Sequence, residues 1–199
     1  MYVSSQTVPV ISHPMDTSES LVELLQQSAV EHLTKFRQLE AQEFCSFGRI
    51  VTTDFEALYA YKCGEYQRCL QLSTHNVRTL VSVGSVGLSS VLAYPEFIQL
   101  MDDDIVSLSG LIMIVSPSCR DEGFTAEVTQ LPLSLYLMTQ CQMKLHHQVT
   151  SLAQTLDYIE DARRVTRRYL DGSFRSTLDF LLLKTTERKV LLHISSEPV

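Results

Sequence analysis

The feature of this sequence that most constrains its fold is a pair of helical segments separated by one glycine. Apolar and small side chains recur every three or four residues from about Thr53 to Leu80, as they do on one face of a helix. The recurrence is interrupted at Gly64, where the backbone can turn tightly. Because so short a turn brings the two helices back alongside each other, the sequence predicts an antiparallel helical hairpin.

Helical spacing also predicts helices on both sides of this hairpin. Ser20 and Glu23 form a capping box that begins a helix, and Gly48 is predicted to end it. Thr53 and Glu56 form a second capping box, which is predicted to begin the hairpin. Further helices are predicted at about 95–100, 102–115, 131–146, 150–170 and 176–194.

The region from 81 to 115 has the weakest helical pattern. VSVGSVGLSSV, residues 81–91, alternates in polarity, and GLIMIV, residues 110–115, is an apolar run that suits a buried strand or a buried helix. We favour a helix for the second run. Helices joined by short turns predict an all-α fold, in which antiparallel hairpins stack as a short solenoid or pack as an irregular bundle.

The hairpin resembles the tetratricopeptide repeat over about residues 53–80. In that family a small residue in the first helix, a glycine followed two residues later by an aromatic, and a small residue in the second helix let the two helices nest. Ala57, Gly64, Tyr66 and Cys69 occupy those places. The resemblance implies a solenoid similar to that family's, working as a scaffold that binds other proteins.

The chain departs from the family pattern at several positions. Thr53, Glu56 and Ala60 stand where the family favours an aromatic, a leucine and an aromatic, and no second copy follows one period later. Either the other helix pairs are diverged repeats, or this is a single hairpin with the same packing. Some members hold a partner's C-terminal carboxylate with Lys and Asn; this chain has Asp54 and Leu58 there, so that function is not implied.

Composition and charge limit the class of protein. The chain has 199 residues, of which 45% are hydrophobic and 20% charged, so we expect one helical domain at 17–199 after a flexible N-terminal arm at 1–16. The net charge of -7 argues against nucleic acids and anionic membranes as partners. With no long apolar stretch and no secretory signal pattern, we expect a cytoplasmic protein, a nuclear location being left open.

The cysteines do not follow a pattern that binds zinc or forms disulfides. They are odd in number and widely spread, and none forms a Cys-x-x-Cys pair, which is typical of a reduced compartment. We interpret them as small hydrophobic residues of the core. They are Cys45, Cys63, Cys69, Cys119 and Cys141.

Two other groups of residues have side chains that can bind metals, but not in a suitable arrangement. Asp102, Asp103 and Asp104 could supply oxygen ligands, but adjacent residues diverge on a helix, and acids favour a helix start. His146 and His147 are neighbours and cannot share one metal from one helical face. We therefore expect no metal and no cofactor.

Four arginines form the best polar contact surface in the sequence. Arg163, Arg164, Arg167 and Arg168 recur at helical spacing and could bind an acidic partner. The alternative is a solvated face of ion pairs, since acidic residues precede them by one turn. Those acidic residues are Asp157, Glu160 and Asp161.

We conclude from the sequence that the chain is a protein interaction module without catalytic activity, binding a peptide or a partner helix. One alternative is an enzyme whose site is assembled from distant His, Cys and Asp residues. Another is a structural subunit of a larger assembly, which exposed aromatics such as Tyr59, Tyr61 or Phe174 would favour. Formation of homo-oligomers is left open.

Overall fold

The computed structural model describes residues 46–86, 103–115, 128–169 and 175–196, and five further helical positions at Leu21, Leu24, Gln27, Ser28 and Glu31. Those five positions agree with the helix predicted after Ser20. The N-terminal arm at 1–16 and the short helix predicted at 95–100 lie outside the described residues.

All regular structure in these ranges is α-helical, so the predicted all-α class is confirmed. The run GLIMIV lies in a helix, as favoured above. The helices are α1 Ser46–Lys62, α2 Tyr66–Val83, α3 Asp103–Val115, α4 Gln130–Lys144, α5 Val149–Tyr169 and α6 Arg175–Ser196.

The predicted hairpin is formed by α1 and α2, with Gly64 in the turn. Gly64 has a φ of 76°, in the left-handed region that glycine adopts without strain. Its N–H donates to the carbonyl of Tyr61 at 3.1 Å, and the Glu65 N–H donates to that of Ala60 at 2.8 Å. These two bonds form a Schellman motif, which ends α1 and pairs the carbonyls of Ala60 and Tyr61.

The predicted start of the hairpin was wrong. Gly48, Thr53 and Glu56 all lie inside α1, which begins at Ser46. A glycine within a helix costs only about 1 kcal/mol, an amount that tertiary packing can outweigh. A capping-box pattern has no capping role in mid-helix, because the backbone N–H groups there already bond to the preceding turn.

Helix α4 lies at the centre of the fold and contacts α1, α2, α5 and α6. Every residue from Gln130 to Gln142 is buried. Pro132 is tolerated because it lies in the first turn, where backbone N–H groups have no partner within the helix. The arrangement is a bundle around one central helix, and the first hairpin packs directly on α4 although α3 intervenes in sequence.

Side-chain contacts define the directions of the helices. Asn76 of α2 contacts Ser134 of α4, and the carbonyl of Val86, just after α2, accepts from the N–H of Leu131 at the start of α4, so these two helices are antiparallel. Helices α4 and α5 form a second antiparallel hairpin, joined by a short turn after Leu145. It follows that α2 and α5 are parallel and that their C-terminal halves lie at the same end of the bundle.

We predict that Gly64→Ala destabilises the protein by about 1 kcal/mol, because the change forces a side chain into the left-handed conformation. A Cβ at this position would contact nothing within 4 Å, so the cost is conformational and not a clash. The measurement is the free energy of unfolding in urea.

Gly110→Ala is the matched control. Gly110 lies within α3, and a Cβ there also meets nothing within 4 Å. The same substitution should stabilise this helix by up to about 1 kcal/mol. Shifts of the same sign in both variants would contradict the role assigned to the turn.

Candidate interaction groove

A groove of about 160 Å³ lies where the two hairpins meet, between α2, α4 and α5. Leu70 and Met138 provide apolar surface, and the other lining side chains are polar or aromatic. Among the lining residues there is no carboxylate and no thiol. The residues that line the groove are Leu70, Thr74, Arg78, Met138, Gln142, His147, Ser151, Gln154, Thr155 and Tyr158.

One end of the groove is formed by the turn between α4 and α5. His146 has a φ of 51°, which is uncommon for a residue other than glycine. The His147 N–H donates to the carbonyl of Gln142 at 3.0 Å, and the His146 N–H donates to that of Met143 at 3.2 Å. This Schellman motif places His147 at the groove with its backbone fixed.

A buried hydrogen bond joins two walls of the groove. The Thr155 hydroxyl on α5 donates to Oε1 of Gln142 on α4 at 2.9 Å. Both residues are more than nine-tenths buried, so the bond is made away from bulk water. It holds the second hairpin closed beside the groove.

The four predicted arginines do not share one environment. At about 100° per residue, the α5 residues that line the groove span about 100° around the helix. Arg168 lies about 90° from the middle of that face, Arg163 and Arg164 lie about 130° from it on opposite sides, and Arg167 lies about 170° from it. Arg168 is therefore the arginine of the stripe nearest to the groove face, and it lies about 15 Å along α5 beyond the groove residue Tyr158.

Arg163 joins α5 to α6. Its guanidinium donates to both carboxylate oxygens of Glu187, at 3.0 and 2.6 Å. This bidentate contact raises the pKa of Arg163 and lowers that of Glu187. Arg164 is exposed and pairs on its own helix with Asp161 at 3.1 Å and with Glu160 at 3.7 Å.

Arg78, at the C-terminal half of α2, lies at the same end of the bundle as Arg168. Both side chains are exposed, and neither forms an ion pair with a described residue. Because α2 and α5 are parallel, these two cations lie toward one end of the groove. We call this the basic end, defined by Arg78 and Arg168.

The described residues of the predicted acidic cluster lie at the start of α3, as expected for a helix N-terminus, and one of them forms an ion pair. Asp104 forms a salt bridge with Lys189 of α6 and accepts a hydrogen bond from the Tyr136 hydroxyl at 2.9 Å. The Lys189 ammonium also lies 5.2 Å from the centre of the Tyr136 ring. The hydrogen bond from Lys189 lowers the pKa of Asp104, and Asp102 lies outside the described residues. No group of three or more possible metal ligands occurs in the described ranges.

A buried polar cluster joins α1, α2 and α4, and the sequence did not predict it. Asp54 Oδ1 accepts hydrogen bonds from Asn76 and Ser134, both at 2.7 Å, and all three residues are fully buried. Oδ2 of Asp54 has no partner among the described residues. Burial raises the pKa of Asp54 to about 7. The available signal was its position four residues before Leu58, on the apolar face of α1.

A second buried carboxylate caps the central helix. Asp179 of α6 accepts hydrogen bonds from the backbone N–H of Thr129 at 2.9 Å and from its hydroxyl at 2.8 Å. Thr129 precedes the first residue of α4, where the helix dipole favours a negative group. Burial raises the pKa of Asp179 to about 6.

In the hairpin of α1 and α2, the residues that resemble the repeat pattern lie where the two helices pack together. Ala57 and Cys69 are fully buried, and the ring of Tyr66 meets that of Tyr61 edge to face at 5.7 Å. Asp54 and Leu58, the residues that the resemblance aligned with the carboxylate clamp, are also fully buried. Neither can therefore reach a partner's tail.

Exposed apolar side chains lie elsewhere on the bundle. Tyr59 and Tyr61 are only partly exposed, and Phe174 lies outside the described residues. The large apolar side chains that are exposed on α3 and α6, two helices in contact with each other, are Val106, Leu111, Ile114, Leu191 and Leu192.

Comparison with known proteins found no match to a family model, to a curated protein or to a solved structure. None of the described helices is long and apolar enough to cross a membrane. Within the described residues, the features that bear on function are the groove and the charges around it.

We predict that Arg163→Ala lowers the free energy of unfolding by about 1 kcal/mol, because it removes a bidentate pair between α5 and α6. Arg167→Ala, on the same helix, is the control and should change stability by less than about 0.5 kcal/mol. Urea unfolding of both variants is the measurement. Equal losses would mean that the Glu187 contact does not stabilise the bundle.

We predict that stability falls as pH rises from about 4 to about 7. Burial raises the pKa of Asp54 from 3.8 to about 7 and that of Asp179 from 3.8 to about 6, so the folded chain binds more protons than the unfolded chain in this range. Stability is then highest below the unfolded pKa and is lost as pH rises through the folded pKa. The lowered pKa values of Asp104 and Glu187 make stability rise with pH, but only at pH values below the ordinary pKa of these carboxyls.

The measurement is urea unfolding at several pH values between 5 and 8. Asp54→Asn puts a neutral side chain at this position at every pH. It should remove a decrease in the free energy of unfolding of the order of 2 kcal/mol over this pH range. Asp161→Asn changes an exposed carboxylate by the same substitution and should leave the decrease intact. A profile of Asp54→Asn parallel to that of the wild type would contradict the assignment.

Proposed function

We propose that the protein is a helical interaction module that holds an acidic segment of a partner protein in the groove between α2, α4 and α5. The observation that carries the proposal is the groove itself, with two exposed arginines toward one end that no described acid neutralises. The module acts by binding alone and needs no metal or cofactor.

The size of the groove limits what enters it. A volume of about 160 Å³ is close to that of a cavity that holds one benzene ring. It therefore accepts one side chain of the partner and not a whole helix. Leu70 and Met138 favour an apolar side chain, while the hydroxyl and amide groups around them can bond to the partner's backbone.

The basic end determines the charge of the partner. Arg78 and Arg168 offer guanidinium groups that can form paired hydrogen bonds with a carboxylate. In an acidic chain such local cations give orientation and selectivity more than affinity. The preferred partner thus carries an apolar residue with Asp or Glu close by.

Only some of the four predicted arginines are expected to contact the partner. Arg168 contributes to the basic end and Arg164 lies beside it. Arg163 is engaged by Glu187 across the bundle, and Arg167 lies on the far side of α5. The resemblance of the first hairpin to the tetratricopeptide repeat supports the same class of function.

An enzyme is less well supported by the groove. His147 lines it, but a general base of this kind needs an acid or a nucleophile beside it, and the lining residues supply no carboxylate and no thiol. As part of the same proposal we place the protein in the cytoplasm, a compartment that suits the free thiols of Cys63, Cys69 and Cys141.

A structural subunit is a second candidate, favoured by the exposed apolar side chains of α3 and α6. Ile114 is 69% exposed and Leu192 is 60% exposed. Apolar side chains exposed in this way mark surfaces that other proteins cover. Substitution of these exposed side chains therefore tests whether the surface contributes to binding.

We predict that selection from a random peptide library yields peptides rich in Asp and Glu around one apolar residue. Arg78→Glu combined with Arg168→Glu should weaken their binding about tenfold or more, since two attractive contacts become repulsive. The measurement is fluorescence anisotropy with a labelled selected peptide.

Two double variants are the controls. Arg167→Glu with Arg188→Glu makes the same charge change at exposed positions away from the groove and should leave the affinity within about twofold. Ile114→Ser with Leu192→Ser should also leave it unchanged. A loss of peptide binding in the second control would mean that the peptide binds the exposed apolar surface of α3 and α6 and not the groove, which would overturn the proposal. Selected peptides without acidic residues would overturn it as well.

A further inference from the structure

Two buried thiols meet at the contact between α2 and α4. Cys69 and Cys141 are both fully buried, and their side chains are hydrogen-bonded to each other. They are distant in sequence, which is why the cysteine spacing did not pair them. Cys63, in contrast, is exposed, so its interpretation as a core residue was wrong.

The two thiols are not equivalent. The Cys69 sulfur also lies 3.7 Å from the buried hydroxyl of Ser73. The hydrogen bond with Cys141 lowers the pKa of Cys69, and the same bond raises the pKa of Cys141. The Ser73 hydroxyl can donate to the Cys69 sulfur, which favours the thiolate, the nucleophilic form, at Cys69.

We propose that Cys69 and Cys141 are a site of reversible disulfide formation that joins α2 to α4, with a peroxide as the oxidant. The geometry that supports this is a pair of fully buried thiols on neighbouring antiparallel helices. Cys69 lies about two turns before Asn76 and Cys141 about two turns after Ser134, and Asn76 and Ser134 are themselves in contact, so the two thiols lie at the same level and on the same faces. The inference goes beyond the proposed function and does not depend on a partner protein.

The chemistry proceeds in two steps. The Cys69 thiolate attacks one oxygen of hydrogen peroxide, the O–O bond breaks, and the hydroxide released takes up a proton to leave as water. The Cys141 sulfur then attacks the Cys69 sulfenic acid, the S–O bond breaks, and a second water leaves with the thiol proton. Two thiols lose two electrons and two protons, and the peroxide is reduced to water.

The disulfide would link α2 and α4, which form two walls of the groove, on their buried side. Leu70, which follows Cys69, lines the groove on α2, and Gln142, which follows Cys141, lines it on α4. A disulfide holds its two sulfur atoms about 2.05 Å apart and therefore fixes the separation of the helices at this level. It also closes a long loop, which stabilises the folded chain.

Burial controls the rate of the reaction. Neither thiol is exposed, so the oxidant reaches Cys69 only when α2 and α4 separate briefly. The exposed Cys63 serves as the internal comparison, because peroxide reaches it without opening of the fold.

The test is oxidation of the full wild-type chain by hydrogen peroxide under native conditions, followed by alkylation and a non-reducing tryptic map. Trypsin would release residues 69–78 with Cys69 as its single cysteine, and residues 121–144 with Cys141. We expect these two peptides linked by a disulfide, with the mass of two hydrogens lost and restored by dithiothreitol. We also expect the Tm of the oxidised chain to rise by several degrees.

A pair-only variant, with Cys45, Cys63 and Cys119 replaced by Ser, isolates the reaction. It should lose two hydrogens, whereas the same variant with Cys141→Ser should not. Alkylation of both cysteines with no linked peptide from the native wild-type chain would overturn the proposal. A linkage found only after unfolding in urea would overturn it as well, since the contact between α2 and α4 would then play no part.

Discussion

The burial of α4 from Gln130 to Gln142 is the constraint on which the rest of the structure depends. A helix buried on all sides needs neighbours around it, and here α1, α2, α5 and α6 supply them. Its N-terminus is buried too, so the free backbone groups of the first turn need partners. Asp179 accepts from Thr129, and the carbonyl of Val86 accepts from the N–H of Leu131 at 3.0 Å.

Buried polar contacts select one register among the many that apolar packing alone would allow. Apolar side chains pack in several registers at similar cost, but a buried carboxyl or amide left without a partner costs on the order of 1–3 kcal/mol. The Asp54, Asn76 and Ser134 cluster joins three helices, so a shift of any one of them breaks it. The consequence of this arrangement is a carboxyl whose pKa burial raises to about 7.

The groove follows from the same arrangement. With α4 antiparallel to both α2 and α5, those two helices run in the same direction on one side of it. Their contact is incomplete, and the space left between them is the groove. The parallel direction also places Arg78 and Arg168 at one end, although 90 positions separate them in the chain.

Periodicity determined a large part of the fold. It indicated the hairpin turn at Gly64 and the helices α4, α5 and α6 to within a few residues, because amphipathic spacing and glycine turns are local properties of the chain. The beginning of α1 was placed wrongly at Thr53, since a local capping pattern does not show whether a helix already precedes it. Periodicity also predicted that the four arginines share one surface of α5. Which of them faces α6 and which lies nearer the groove depends on the helices that pack against α5.

The sequence by itself therefore determined the helical class, the turns and the candidate charged residues. Only the tertiary structure decided that α4 is central, that Asp54 and Asp179 are buried carboxyls, and that Cys69 meets Cys141. The physical reason is that each of these is a contact between distant segments, whose energy depends on which helix faces pack together. That choice follows from burial of the whole apolar surface, and no single stretch of sequence contains it.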